Sequence, residues 1–456
     1  MTKLFQQRSQ RAAPKRQSAA PRRGAAPRRS PVAIAGIAGI VVLALFVVSL
    51  GFLWGIAMPV RDLPEPTGPY TVGTVSYDLV DSSRPDPYRL PGSSAPESRT
   101  VRLQLWYPAA PSFAARAEAG TTDRAEDPAP WMADGPKHTR AIVRSHGFPF
   151  FIWEHTRWMD SNSYRAVPAA GPSSYPVAII VHGWEGYRGL HADIAEELAS
   201  HGYLVAAANH SYGAAATRLS DGTLLYSRDD VLPERDSTDH FARSATELVE
   251  TFSRDIGTIR EHLADIAGGG AHIGSAPAEE ERAVGAALAQ LESRIDLEQL
   301  VLVGHSTGGG AAVHHTLEEA GGAGRRTLEE AGGAARHTQD QGTVSAIVGL
   351  DAWVEPLGHA RLAEAELTVP TLFLRSEEWI GGINDSYLVP FVERLQAAGA
   401  PVELRQMEGI THEQFSTLYM YAPATRWMGL LGDADPWEFA RVQRTTIREF
   451  LIESGR

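Results

Sequence analysis

Four short apolar runs, each bounded by turn residues, set the rhythm of the chain at 177–181, 300–303, 345–350 and 371–374. Runs of this length, rich in Val, Ile and Leu and without polar alternation, predict strands covered on both faces, as in a parallel sheet. Between and around them apolar residues recur every three or four positions, which predicts helices at 192–201, 241–267, 278–295, 385–398 and 436–452. Further strands are expected at 203–208 and 402–406, and the runs at 72–80 and 100–107 read as an antiparallel pair opening the sheet. Alternating strands and helices predict an α/β fold, a mostly parallel central sheet with helices on both faces. Two stretches break the rhythm: 211–232 reads as loop, and 108–170 is irregular until the cluster Phe148-Pro149-Phe150-Phe151-Ile152-Trp153 and Trp158. Phe150, Phe151 and Trp153, with Trp353 further on, are the candidates for a substrate-pocket wall, against the alternative of plain core packing or a surface that dips into lipid.

The N-terminal end has a different pattern. Residues 32–58 are 27 in a row without a charge. As a helix they extend about 40 Å, enough to cross a hydrocarbon layer of about 30 Å with tilt. The run exceeds the usual h-region of a cleaved signal peptide, although Gly55-Ile56-Ala57 resembles a small-residue cleavage site, so processing and secretion stand as the minor alternative. Residues 1–30, with nine Lys or Arg and no acid, read as a disordered arm kept in the cytoplasm. The expected organisation is therefore a basic arm (1–30), a single-pass signal anchor (31–60), a linker with three prolines (61–70) and one extracytoplasmic catalytic domain (71–456).

Charge and composition narrow the classes further. The net charge of −13 hides a split, because outside the basic arm 33 Lys and Arg face 55 acidic residues. An acidic main body argues against a nucleic-acid partner. There is no cysteine, hence no disulfide, thiolate chemistry or lipoprotein attachment. His314-His315 reads as a solvated helix face rather than a ligand pair, so no metal site is expected. The segment Thr316-Leu-Glu-Glu-Ala-Gly-Gly-Ala returns 11 residues later from Thr327, and His337-Thr338 begins a third copy. Two units are too few for a solenoid, and 316–338 reads as a duplicated low-complexity insertion.

Chemistry enters with Gly304-His305-Ser306-Thr307-Gly308, which follows one apolar run and opens a helical stretch of small residues. Glycine at 304 and 308 suits a sharp strand-to-helix turn that lifts the Ser306 hydroxyl out at a helix N-terminus, the nucleophile elbow of an α/β-hydrolase. The motif alone is weak in a chain with 43 glycines; its flanks and partners strengthen it. A serine hydroxyl needs a base and a carboxylate to orient that base, in the chain order Ser, acid, His, each after a strand. His412 follows the last strand. For the acid, Asp351 follows the 345–350 run, and Glu377, Glu378 and Asp385 follow the next; Asp351 is preferred because its apolar setting demands a partner, while Glu377-Glu378 reads as a solvated pair. Backbone amides of Trp184 and Thr307 are expected to form the oxyanion hole, with His182 a structural group in the loop. No cofactor is called for.

With these residues in hand the chain resembles the platelet-activating factor acetylhydrolases, plasma and type II intracellular, with their bacterial relatives. The resemblance rests on His182-Gly183-Trp184-Glu185-Gly186-Tyr187-Arg188, Ala199-Ser200-His201-Gly202-Tyr203, Gly304-His305-Ser306-Thr307-Gly308-Gly309, Leu350-Asp351-Ala352-Trp353 and Gly409-Ile410-Thr411-His412-Glu413-Gln414-Phe415. It implies a calcium-independent serine esterase that removes short or oxidised acyl chains from glycerophospholipids, with Asp351 as triad acid. Thr307 stands where the animal enzymes often carry a bulky aromatic, the 316–338 repeat is foreign to them, and 108–170 matches loosely. Ester hydrolysis is thus the firmer expectation and the lipid substrate the finer one. Other esters of polymers or the cell envelope, and an inactive hydrolase fold used as a binding module, are the rival readings.

Overall fold

The computed structural model describes residues 31–61, 63–110, 128–235, 239–270, 278–329, 343–421 and 423–455. It divides into two units, 1–54 and 55–456. The basic arm lies outside the described residues, as do residues 330–338 of the 316–338 repeat. The first unit carries helix α1 (Pro31–Ala57), whose stretch Ala35–Ile56 has a mean hydropathy of 2.7 and no residue buried by protein. By length and composition this helix is able to cross a membrane.

The second unit is built on a ten-stranded sheet. Its strands are β1 (Thr71–Pro85), β2 (Ser98–Ala109), β3 (Pro128–Pro130), β4 (Asp160–Arg165), β5 (Tyr175–Val181) and β6 (Leu204–Asn209), then β9 (Ile295–His305), β10 (Val344–Leu350), β11 (Thr371–Ser376) and β12 (Val402–Met407). A small hairpin, β7 (Ala216–Arg218) and β8 (Leu224–Tyr226), stands apart. Strand order is β12-β11-β10-β9-β5-β6-β2-β1-β4-β3. From β6 to β12 neighbouring strands are parallel, while β2 is antiparallel to both β6 and β1. The helices are α2 (Gly135–Ser145), α3 (Ala192–Ser200), α4 (Asp239–Ala267), α5 (Ala278–Leu291), α6 (Thr307–Glu329), α7 (His359–Glu364), α8 (Asp385–Ala397), α9 (Leu418–Tyr421) and α10 (Pro436–Ser454).

The unbroken apolar runs have a direct structural cause. Along β5 and β9, Val177, Ile179, Leu300 and Leu302 enter the core that also takes in Leu248 and Phe252 of α4. Their neighbours Ala178, Ile180, Val301 and Val303 enter the opposite core, with Ile194 and Leu198 of α3 and Ile447 of α10. Successive side chains point to opposite faces, so a strand covered on both sides has no polar position to show. Parallel pairing also brings the C-terminal ends of β5, β9, β10 and β11 to one edge, with Val181 beside Gly304 and Leu350 beside both His305 and Leu374. That edge is where open α/β sheets carry their chemistry.

Three sequence expectations change. Residues 61–70 are not a free linker: Leu63 is buried, Thr67 N–H and Oγ1 donate to Glu197 of α3 (2.8 and 2.6 Å), and Gly68 N–H donates to Ser200 Oγ (3.0 Å). The irregular stretches contain β3, α2 and β4 within 128–165 and the β7–β8 hairpin within 211–232; the strands are too short to give a sequence period, while the 11-residue amphipathic α2 lies in a stretch read as irregular. His314 and His315 do not face solvent. α6 lies along α4, and both rings are buried against Ser253, His314 on its hydroxyl and His315 on its carbonyl (3.1 Å each).

One buried group gives a pH-dependent prediction. Burial pushes the Glu196 carboxyl of α3 up to about 7, against hydrogen bonds from Ser163 (2.5 Å) and Asn162 (3.0 Å). The folded state therefore binds this proton more tightly than the unfolded chain, which stabilises it below about pH 4.5; that contribution is lost as pH rises through about 7. Glu196→Gln, which stays neutral, is expected to raise Tm at pH 8 and leave it nearly unchanged at pH 5. Thermal melts at both values decide, and an equal shift at each would remove the proton from the explanation.

Candidate active site

A single residue, Ser306, separates β9 from α6. Its φ is +54°, in the left-handed region, which costs a residue with a side chain about 1–3 kcal/mol. The surrounding backbone holds it there. Ser306 N–H donates to Leu350 O (3.0 Å), and Ser306 O accepts from Trp353 N–H (2.8 Å), so the turn is tied on both sides to the loop after β10. Space explains the two flanking glycines: a Cβ at 304 would lie 2.3 Å from Gly308 O, and one at 308 would lie 2.2 Å from Val181 O.

Asp351, the first residue beyond β10, also has a positive φ (+42°) and is 1 % exposed. Its carboxylate accepts from Ser376 N–H (2.7 Å) and Ser376 Oγ (2.5 Å), and His412 Nδ1 lies 3.0 Å from Oδ2. With two donors already on it, the carboxylate acts on His412 as an acceptor, which puts the imidazole proton on Nδ1 and leaves Nε2 as the basic nitrogen. His412 itself opens a short 3-10 turn (His412–Phe415) entered through a capping box between Thr411 and Gln414. The ring is held between Trp379 (centroids 4.3 Å apart, 8° between planes) and His305 (4.5 Å, 30°). Burial, reinforced by His412, keeps the His305 imidazole well below its usual pKa, so it is a neutral wall. Its Nε2–H donates to His412 O (3.2 Å).

The loop after β5 passes over the serine. A Cβ on Gly183 would fall 2.8 Å from Ser306 Cβ, so only glycine permits the approach. The next amide, Trp184 N–H, donates to Thr307 Oγ1 (3.2 Å), on the residue directly after Ser306. Ser306, His412, Gly183 and Trp184 share the wall of one cavity of about 520 Å³.

The sequence-predicted site residues thus fall into two groups. Ser306, His412 and Trp184 meet at the cavity, and Asp351 lies behind His412; Gly304, Gly308 and Thr307 hold the turn. Of the pocket candidates, Trp153 lines the cavity. Phe150, Phe151 and Trp353 do not. The tight turns after Pro149 send Phe150 and Phe151 outward, 54 % and 52 % exposed, and bring Phe148 and Ile152 to the cavity instead. The Trp353 indole turns away to donate to Glu355 (3.0 Å) and pack on Phe241. Glu377 and Glu378, read from sequence as a solvated pair, are exposed but bonded: they accept from Gly409 N–H (2.8 Å) and His412 N–H (2.7 Å), bracing the histidine loop. Ser376 and Trp379 carried no motif in sequence; their one signal was position, at the end of β11 and in the loop after it. Among the described residues no group of three or more His, Asp or Glu is arranged to hold a metal ion.

A mostly parallel sheet that takes in antiparallel β2, with a strained serine closing the turn after a central strand, is the α/β-hydrolase fold. The family model "Platelet-activating factor acetylhydrolase, isoform II" matches residues 56–454, and the chain belongs to that family. Among solved structures, a ferulic acid esterase from Streptomyces cinnamoneus superposes with a TM-score of 0.57 at 20% identity, over 87% of this chain and 94% of its own. An esterase B from Lactobacillus rhamnosis covers 92% of this chain and 97% of its own, at 11% identity and a TM-score of 0.35. The protein is a carboxylic ester hydrolase.

Proposed function

We propose that the protein is a membrane-tethered serine esterase acting on amphiphilic carboxylic esters, with 2-acetyl glycerophospholipids the first class to test. Ser306 Oγ attacks the ester carbonyl carbon while His412 Nε2 takes its proton, and Asp351 holds the imidazolium that forms. The amides of Trp184 and Thr307 receive the oxyanion, for which Trp184 N–H exchanges the Thr307 hydroxyl for a stronger acceptor. Collapse expels the alcohol with the proton returned by His412. Water, deprotonated by the same nitrogen, then releases the acid from Ser306. The observation that carries this reading is the 3.0 Å contact of His412 Nδ1 with buried Asp351, set in the wall that also contains Ser306.

The substrate class draws on the cavity's surroundings. Phe148, Ile152, Trp153, Leu418 and Met428 make an apolar wall, and Phe150, Phe151 and Trp427 stand exposed on the same two loops. Met58, two residues beyond the end of the apolar stretch at Ile56, also lines the cavity. A membrane anchor on the same chain favours an ester drawn from a bilayer, with the basic arm in the cytoplasm and the catalytic unit outside. A second reading, an aryl or polymer ester, draws on the aromatic side chains Phe148, Trp153, Trp184 and Tyr187 in the lining.

The test is a substrate panel on the full chain in detergent, from p-nitrophenyl acetate to 2-acetyl phospholipids, feruloyl esters and polyesters. Preferential turnover of the phospholipid is expected; its absence beside rapid feruloyl or polyester hydrolysis would move the function to the second reading. Phe148→Ser with Trp153→Ser is expected to lower kcat/KM on the phospholipid about 10- to 100-fold and on nitrophenyl acetate less than about threefold, since only the long substrate reaches that wall. Equal losses would reduce both residues to packing.

A further inference from the structure

The Trp184 amide is useful only if its N–H points at the reacting carbonyl oxygen, and a loop amide has no intrinsic reason to point there. The peptide unit that carries it is held from the other end. Gly183 O, the carbonyl of that same peptide, accepts from His182 Nδ1 (2.6 Å) and from Gly186 N–H (3.0 Å). A trans peptide is planar, with C=O and N–H on opposite sides. Fastening the Gly183 carbonyl in one direction therefore aims the Trp184 N–H in the other, toward Thr307 Oγ1 and the space beside Ser306.

The state of the His182 ring follows from its partners. His210 N–H donates to His182 Nε2 (3.2 Å), and a backbone N–H can only donate, so Nε2 carries the lone pair. In the neutral ring the proton then sits on Nδ1, as the bond to Gly183 O requires. Burial, helped by His210, holds His182 well below its usual pKa and so in this neutral form. The support continues inward. The His210 ring stacks on Phe252 (4.1 Å, 18°), and its Nδ1 lies 2.9 Å from Asp255 Oδ2. Asp255 is in turn held by two bonds from Arg99 (3.1 and 2.6 Å) and one from Arg84 (2.8 Å). All but Arg84 are buried. None of these groups touches the cavity, yet together they fix one peptide plane at its wall.

We infer that His182 is a positioning residue for acyl transfer: its Nδ1–H clamps the Gly183 carbonyl and thereby aims the Trp184 amide at the developing oxyanion. The inference rests on the proposed role of that amide beside Ser306.

Two polar substitutions separate the two ends of the ring. Asn at 182 places an N–H where Nδ1 stands and abandons the distal acceptor; Gln keeps a distal acceptor and has no donor at the proximal position. His182→Gln is expected to lower kcat on p-nitrophenyl acetate about 10- to 100-fold with KM within about threefold, less than the full loss of an oxyanion donor. His182→Asn is expected to stay within about threefold of the parent. Rates are taken per active site counted by stoichiometric fluorophosphonate labelling, which removes unfolded material from the comparison. Affinity for a trifluoromethyl ketone, which mimics the tetrahedral state, should fall with kcat/KM in His182→Gln and be restored in His182→Asn. Equal rates per site in both variants, or a deeper loss in His182→Asn than in His182→Gln, overturns the clamp. If Ser306→Ala remains inactive in that event, the triad reading stands without it; retained turnover in Ser306→Ala would instead remove the foundation of both.

Discussion

Ester hydrolysis by the Ser306→Ala protein is expected to fall by about 10⁴- to 10⁶-fold in kcat, to the residue left by binding and the oxyanion donors alone. The size follows from the division of labour at the turn. His412 has nothing to deprotonate except water once the hydroxyl is gone, and water lacks the fixed position of a side chain. The fold should not notice. The strain at φ +54° belongs to the backbone, and alanine suffers it as serine does. The hydrogen bonds that hold the turn run through Ser306 N–H and O, which alanine keeps. Melting temperature is therefore expected to stay within a degree or two while p-nitrophenyl acetate turnover and fluorophosphonate labelling vanish together. A variant that melts normally and still hydrolyses the ester would place the nucleophile elsewhere.

What could be read from sequence follows from how each element is buried. β5, β9, β10 and β11 were legible because both their faces enter cores, so burial is written into consecutive positions. β3 and β4 are three and six residues long at the sheet edge, with Pro128 and Pro130 in the pairing, and leave no period to detect. The elbow motif and the small residues after it announced α6 but could not say that α4 covers its His314–His315 face, because a helix read from sequence does not name its neighbour. The same limit misdirected Phe150 and Phe151: the aromatic cluster was visible, and the turns that alternate its members between cavity and solvent were not. Ser306 and His412 were legible through strand ends and chain order. Ser376, Trp379 and the His182 clamp act through contacts between loops that only the folded chain brings together.

The choice between Asp351 and the Glu377-Glu378 pair is decided most sharply by a conservative exchange at each. Asp351 accepts from two donors on Ser376 and faces His412 Nδ1. Asn at 351 has one acceptor and one NH₂. The Ser376 N–H retains the oxygen, so the NH₂ is left facing both Ser376 Oγ, which can accept, and His412 Nδ1. Imidazole relieves that donor-to-donor conflict by moving its proton to Nε2, the atom that has to be free to receive the serine proton. Asp351→Asn is thus expected to lower kcat about 10³- to 10⁴-fold with KM nearly unchanged, the effect of holding a base in the wrong tautomer. Glu378→Gln tests the rival. Glu378 meets His412 only at the backbone N–H, and a glutamine oxygen accepts that bond as well. Its loss should stay under about threefold, the worth of a bond that braces the loop without setting the ring's proton. A deep loss in Glu378→Gln beside a mild one in Asp351→Asn would transfer the acid to β11 and leave the buried carboxylate as scaffold.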